Sequence, residues 1–162
     1  MASVMMFNRS EAPARPEVDS YTPPSGESHS QKLRRTGQRD FAFEGVEVCS
    51  STSHSPGPSL WYEINLYRKN SGHLVVDVRF FSKSDAMRDR FHIFEADGFD
   101  EVASVLEAYE PANDIEPDIN PEDQDMPPAV FVLKAAVLRI RIDEARRQFR
   151  DLVGDVLHQL DV

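Results

Sequence analysis

The chain has 162 residues and a formal net charge of −10, with 28 acidic against 18 basic side chains. The length suits one domain with tails, the single Cys49 excludes an intrachain disulfide, and the lack of an apolar run of about 18 residues predicts no transmembrane helix. Because no charged leader precedes its weakly apolar start, we expect a soluble cytoplasmic protein.

The negative charge is concentrated in one window, residues 95–128, which holds 12 acidic residues and no Lys or Arg. The rest of the chain holds 16 acids and 18 bases. Separated charge usually marks distinct surfaces or an interaction segment. The total of −10 therefore does not exclude an anionic partner.

Residues 1–39 are predicted to be a disordered tail. Pro13, Pro16, Pro23 and Pro24 interrupt any helix, and large apolar side chains are too few to offset the entropy of ordering the chain. The tail ends in a basic stretch, residues 32–39, for which a solvated role is favoured over contact with phosphates.

Residues 40–110 are predicted to form the body, a four-stranded antiparallel sheet backed by one amphipathic helix in an α+β fold. Alternating apolar residues indicate strands near residues 41–48, 60–69, 73–83 and 90–96. The turn Asn70-Ser71-Gly72 joins the middle two strands as a hairpin. A helix over residues 98–110 should cover the sheet, because its apolar residues recur at helical spacing: Phe99, Val102, Leu106 and Tyr109.

The two faces of the hairpin differ, because successive side chains point to opposite sides. The predicted core face is nearly all apolar and carries Tyr62, Ile64, Leu66, Leu74, Val76, Val78 and Phe80. The other face mixes aromatic and basic side chains, and its candidate binding residues are Trp61, Tyr67, Lys69, Arg79, Phe81 and Lys83. Such a mixture suits single-stranded nucleic acid, since rings stack on bases and cations follow the backbone.

A protein partner or a packed helix is the favoured occupant of this second face, because Glu63 and Asp77 lie on it as well. The order of four strands and then a helix over residues 41–110 resembles, in topology, the small single-strand-binding sheets of the transcription-coactivator and Pur types. That resemblance implies nucleic-acid binding, which we keep as the alternative.

Residues 111–128 are predicted to be an acidic linker without regular structure, because five prolines interrupt it. Its polar side chains at alternate positions match the ligand spacing of a calcium loop: Asp114, Glu116, Asp118, Asn120 and Glu122. Ile119 stands where that loop requires Gly, and we therefore predict no metal site.

Residues 129–160 are predicted to form one long amphipathic helix that packs on the body or on a second subunit. Its candidate interface residues repeat at heptad spacing and are Phe131, Leu138, Ile142, Phe149, Leu152 and Val156. A second apolar row, Val130, Leu133, Val137 and Ile140, occupies the first half only. We therefore expect the first half to be buried against the body or a partner and the second half to expose a narrow seam. The alternative for residues 137–142 is a short strand.

Recognisable catalytic motifs are missing from the sequence, so we predict no enzyme and no cofactor. It has no glycine-rich phosphate loop and no nucleophile elbow, and a Cys49–His54 pair lacks an evident orienting acid. The predicted function is a non-enzymatic interaction or regulatory protein that forms a homodimer. Single-stranded nucleic-acid binding through the mixed sheet face is the alternative.

Overall fold

The computed structural model describes residues 27–120 and 122–161. Within them the chain forms an antiparallel sheet followed by two α-helices, so the predicted α+β class is confirmed. The strands lie side by side in sequence order and are β1 His29–Leu33, β2 Phe41–Thr52, β3 Leu60–Lys69, β4 Leu74–Ser82 and β5 Arg90–Ala96. Helix α1 is Phe99–Ala108, a 3-10 turn spans Pro111–Asp114, and α2 is Pro128–Gln159.

The sheet has five strands, so the prediction of four is wrong by one. Strand β1 lies inside the stretch 1–39 that was predicted to be a tail, and it pairs antiparallel with β2, with Leu33 opposite Phe41. Its five residues include one large apolar side chain, Leu33, which is buried. The alternation of apolar residues is too weak there to indicate a strand. The strand forms because its backbone pairs with that of β2. Residues 1–26 lie outside the described residues.

The β3–β4 hairpin forms as predicted, in continuous register from Leu60 opposite Ser82 to Arg68 opposite Leu74. Gly72 in the turn has a φ of +93°, a conformation that side-chain-bearing residues rarely adopt. In β2, Gly45 lies so close to β3 that a Cβ atom there would stand 2.3 Å from the carbonyl oxygen of Arg68. Glycine is therefore required at this position, where β2 lies against the end of β3.

The sheet curls until the loop after β1 reaches β5. The backbone N–H of Thr36 donates to the carbonyl of Phe91 at 2.9 Å, and the N–H of Phe91 donates to the Thr36 hydroxyl at 2.7 Å. The curl encloses a small apolar cluster on the inner face, made of Leu33, Tyr67, Val75, Phe41, Phe43 and Ile93. Part of the hairpin face that was predicted to be wet or to bind a partner is thus buried within the chain.

The main core lies on the opposite, outer face of the sheet, as the alternation predicted. Tyr62, Ile64 and Phe80 are fully buried there. Helix α1 covers β4 and β5, and the second half of α2 covers β2 and β3. Residues 137–142 are helical, so the alternative of a strand at this position is wrong.

Candidate protein-interaction site

The first half of α2 exposes large apolar side chains to solvent. Leu133 is 64% exposed and Ile140 is 67% exposed, and Val130, Phe131, Val132 and Val137 are exposed beside them. Globular proteins do expose scattered apolar residues, but a cluster on one element usually marks an interaction site. This half of the helix therefore lacks the cover that its composition requires.

One row of side chains along α2 is apolar in the first half of the helix and charged in the second. We call Val130, Leu133, Val137 and Ile140 the projecting stripe. Their spacing of three, four and three residues places them on one side of an α-helix, and the same row continues through Glu144, Arg147 and Asp151. The side of α2 that is charged over its second half is therefore apolar over its first half.

The body buries the second half of α2 and not the first, contrary to the expectation that the second half exposes a narrow seam. Phe149, Leu152 and Val156 are buried in the chain's own core, whereas Phe131 is 47% exposed. Leu138 and Ile142 are partly buried at the border between the halves. The second half of the row at heptad spacing, which was a candidate interface, is thus a contact within the chain. The candidate interface is instead the projecting stripe.

Aromatic packing holds the second half of α2 in position. The ring of Phe149 stacks on Tyr109, with centroids 4.7 Å apart, and meets Tyr62 edge to face at 5.2 Å. Gln148 donates from its amide to the backbone carbonyl of Leu60 at 3.1 Å. The body therefore determines the direction in which the first half extends.

The charges around the projecting stripe are segregated. Residues 127–142 contain Lys134, Arg139 and Arg141 and no acid, whereas residues 114–126, just before them, contain six acids and no base. Lys134 Nζ lies 3.6 Å from the Asp118 carboxylate. A hollow of about 450 Å³ separates the start of α2 from the linker, between Asp123 and Phe131. Each chain thus carries a cationic helix beside an acidic segment.

The acidic linker is anchored at its first residues, contrary to the prediction that residues 111–128 have no regular structure. Pro111–Asp114 forms a 3-10 turn and Ile115 is buried. The Asp114 carboxylate is buried and accepts hydrogen bonds from the hydroxyls of Tyr62 at 2.8 Å and Tyr109 at 2.6 Å. His92 Nε2 lies 3.0 Å from its other oxygen.

This Asp114 cluster had no signal in the sequence, because its members come from β3, β5 and the end of α1. Burial, followed by the charge of Asp114, raises the pKa of both tyrosine hydroxyls. Glu116 pairs with Arg90 and Asp118 with Lys134, so three of the alternating acids have cationic or hydrogen-bonding partners.

The raised tyrosine pKa values predict a loss of stability in alkali. Tyrosines of the unfolded chain ionise near pH 10, whereas Tyr62 and Tyr109 keep their protons in the folded state. The unfolded chain therefore binds fewer protons, and the free energy of unfolding should fall above about pH 10 by about 1.4 kcal/mol per pH unit for each tyrosine. Below that pH the stabilisation is fully present.

Urea unfolding between pH 8 and pH 11, followed by Trp61 fluorescence, measures this slope. The double variant Tyr62→Phe/Tyr109→Phe should flatten it, leaving a smaller slope from Tyr67 and Cys49, whose pKa values burial also raises. An unchanged slope in that variant would contradict the assignment of the alkaline transition to the Asp114 cluster.

The six residues of the predicted binding face are divided between two ends of the inner sheet face. Trp61 stacks on Phe81, with ring centroids 5.3 Å apart and an interplanar angle of 20°. Tyr67 is buried in the inner cluster, Lys69 pairs with Glu95, and Lys83 is exposed. Because Trp61 and Phe81 turn faces toward each other, fewer ring faces are open to bases. Nucleic-acid binding stays a prediction.

Arg79 of that set is engaged by a buried carboxylate. Its Nε lies 2.7 Å from Asp77 Oδ2, which also accepts from the Asn65 amide at 3.2 Å. Burial raises the pKa of Asp77, and the charge of Arg79 opposes that rise. The Asn65–Asp77 hydrogen bond links β3 to β4, and the ion pair within β4 leaves Arg79 less available to a phosphate.

Metal or thiol chemistry finds little support in the described residues. Over residues 27–120 and 122–161, no three His, Cys, Asp or Glu side chains gather closely enough to hold a metal ion. Burial raises the pKa of the Cys49 thiol, which lowers its reactivity. Among the helices of the same residues, none combines the length and apolarity needed to cross a membrane.

Comparisons with known proteins return no relative. No family model matches the chain, and neither the curated proteins nor the solved structures contain a significant match. The function must therefore be argued from the geometry of this chain alone.

Proposed function

We propose that this chain is a non-enzymatic interaction or regulatory protein that forms a homodimer through the first half of α2. The single observation that carries the proposal is the projecting stripe, whose side chains are exposed although the helix continues into the core. A helix that is apolar on most of its sides is normally buried against another element.

Burial of the projecting stripe would contribute favourable free energy to association. Fully burying a Val, Leu or Ile side chain contributes about 1.5–3 kcal/mol. Leu133 and Ile140 begin about two-thirds exposed, and Val130 and Val137 more than one-third exposed. Covering these residues on two chains would supply several kcal/mol in total, against the cost of joining two molecules.

The body contributes by preorganising the contact. The second half of α2 is held by the aromatic packing of Phe149 and by the Gln148 hydrogen bond to Leu60. The first half continues the same helix without interruption from Pro128. Little conformational entropy is therefore lost when it docks, which favours affinity at a given buried area.

Replacing Leu133 by Ser tests the proposal. The change removes apolar surface once in each copy, about 1 kcal/mol each, so the dimer dissociation constant should rise roughly 30-fold. Sedimentation velocity over a concentration series measures that constant. The matched control is Val48→Ser, which alters an exposed apolar side chain of β2, a strand that contacts the second half of α2 and not the projecting stripe, and should leave the dimer unchanged.

Two results would contradict the proposal. One is a wild-type chain that sediments as a monomer at every concentration. The other is an equal effect of Leu133→Ser and Val48→Ser, which would place the contact away from the projecting stripe.

A further inference from the structure

We propose that the occupant of the projecting stripe is the stripe of a second copy, with the two α2 helices running antiparallel about a two-fold axis near residue 135. The inference rests on the proposed homodimer and adds its geometry. It is carried by two independent features of α2, the spacing of the stripe and the distribution of charge along the chain.

The spacing of the stripe is the same in both directions. From Val130 to Ile140 the steps are three, four and three residues. When one copy is turned end to end about residue 135, Val130 therefore lies beside the partner's Ile140 and Leu133 beside the partner's Val137. The interface is self-complementary, as a two-fold contact between identical surfaces requires.

The charges distinguish this arrangement from a parallel pair. In a parallel pair Arg141 would lie beside the same residue of the partner, and the two acidic linkers would meet, so like charges would repel. In the antiparallel pair Arg141, which flanks the projecting stripe, lies beside the start of the other helix, next to Asp123 and Asp125. All three side chains are exposed or half-buried in the single chain and can reach across.

The acidic segment therefore has a role in the dimer. Each linker is tied to its own body through Asp114 and continues to the first turn of α2. In the antiparallel pair it approaches the cationic end of the other helix. The linker of one copy then surrounds the edge of the apolar contact with charged side chains. Because salt screens these charges, a higher salt concentration should weaken the dimer.

Cross-linking between single cysteines tests the orientation. In a Cys49→Ser background, Val130→Cys and Ile140→Cys are prepared separately, since both positions are exposed and tolerate the change. A bis-maleimide spanning about 8–10 Å, the usual distance between packed helices, is added to each variant alone and to a mixture. Positions 130 and 140 are about 15 Å apart along one helix, so in the antiparallel pair two cysteines at the same position would also be offset by about 15 Å, beyond the span of the cross-linker.

The antiparallel pair predicts cross-linked dimer in the mixture and little or none in either variant alone. Cross-linking of each variant with itself would overturn the orientation and leave the homodimer standing. Absence of cross-linking from a chain that sediments as a monomer would overturn the homodimer as well. If that monomer pellets with phosphatidylglycerol vesicles, a lipid surface is the occupant instead, and both proposals fail.

Discussion

Phe149→Ala is expected to lower the free energy of unfolding by about 3–5 kcal/mol, the cost of deleting a fully packed aromatic side chain from a core. Phe149 is 3% exposed and contacts both Tyr62 and Tyr109. Its removal leaves a cavity between α2 and the outer sheet face. Urea unfolding at neutral pH and fixed protein concentration, followed by Trp61 fluorescence, measures the loss.

Phe131→Ala is the matched control for this prediction. It is the same substitution in the same helix and the same heptad seam, but Phe131 is 47% exposed. We expect the free energy of unfolding to change by less than about 1 kcal/mol, because exposed side chains contribute little to stability. Similar losses for the two variants would contradict the division of α2 into a buried and a projecting half.

Reversing the charges that the antiparallel dimer brings together should produce the second large effect. Arg141→Glu in one variant, or Asp123→Lys/Asp125→Lys in another, turns each attractive contact of Arg141 with Asp123 and Asp125 across the two-fold axis into a repulsive one. Exposed ion pairs contribute about 0.2–1 kcal/mol each, so four reversed pairs should cost about 3 kcal/mol. The dissociation constant should rise roughly 150-fold.

Mixing the two charge-reversed variants should restore the dimer, because both contacts of the mixed pair again join opposite charges. Sedimentation velocity of each variant and of the equimolar mixture measures this rescue. The control Asp155→Lys/Asp161→Lys reverses two exposed acids at the far end of α2 and should leave association unchanged. A mixture as weak as its components would contradict the antiparallel contact.

The hairpin, α1 and the single long α2 were all predictable from local periodicity, because the period of apolar residues reports which backbone conformation buries them together. Strand β1 was not, since Leu33 is the one large apolar side chain in it and the strand is held by pairing with β2. The curl of the sheet was equally hidden. It depends on contacts such as that between Thr36 and Phe91, far apart in the sequence.

The candidate site was partly predictable. The second apolar row of α2 was recognised from its spacing, but the body buries the other half of the helix, which was expected to expose a seam. The Asp114 cluster was missed because His92, Tyr62 and Asp114 are scattered over three elements, and each alone is an ordinary polar residue. Six residues on the inner sheet face shared an alternation pattern, yet the curl buries Tyr67 and leaves Lys83 exposed.

The sequence by itself determined strands β2–β5, both α-helices and which of their sides are apolar, because these properties depend on neighbours a few residues apart. Only the tertiary structure decided which apolar surfaces are covered. Helix α2, with 32 residues, is about 48 Å long, and β3, with 10 residues, is about 33 Å long. The helix is longer than the strands it packs on, so one half is buried by the body and the other remains exposed.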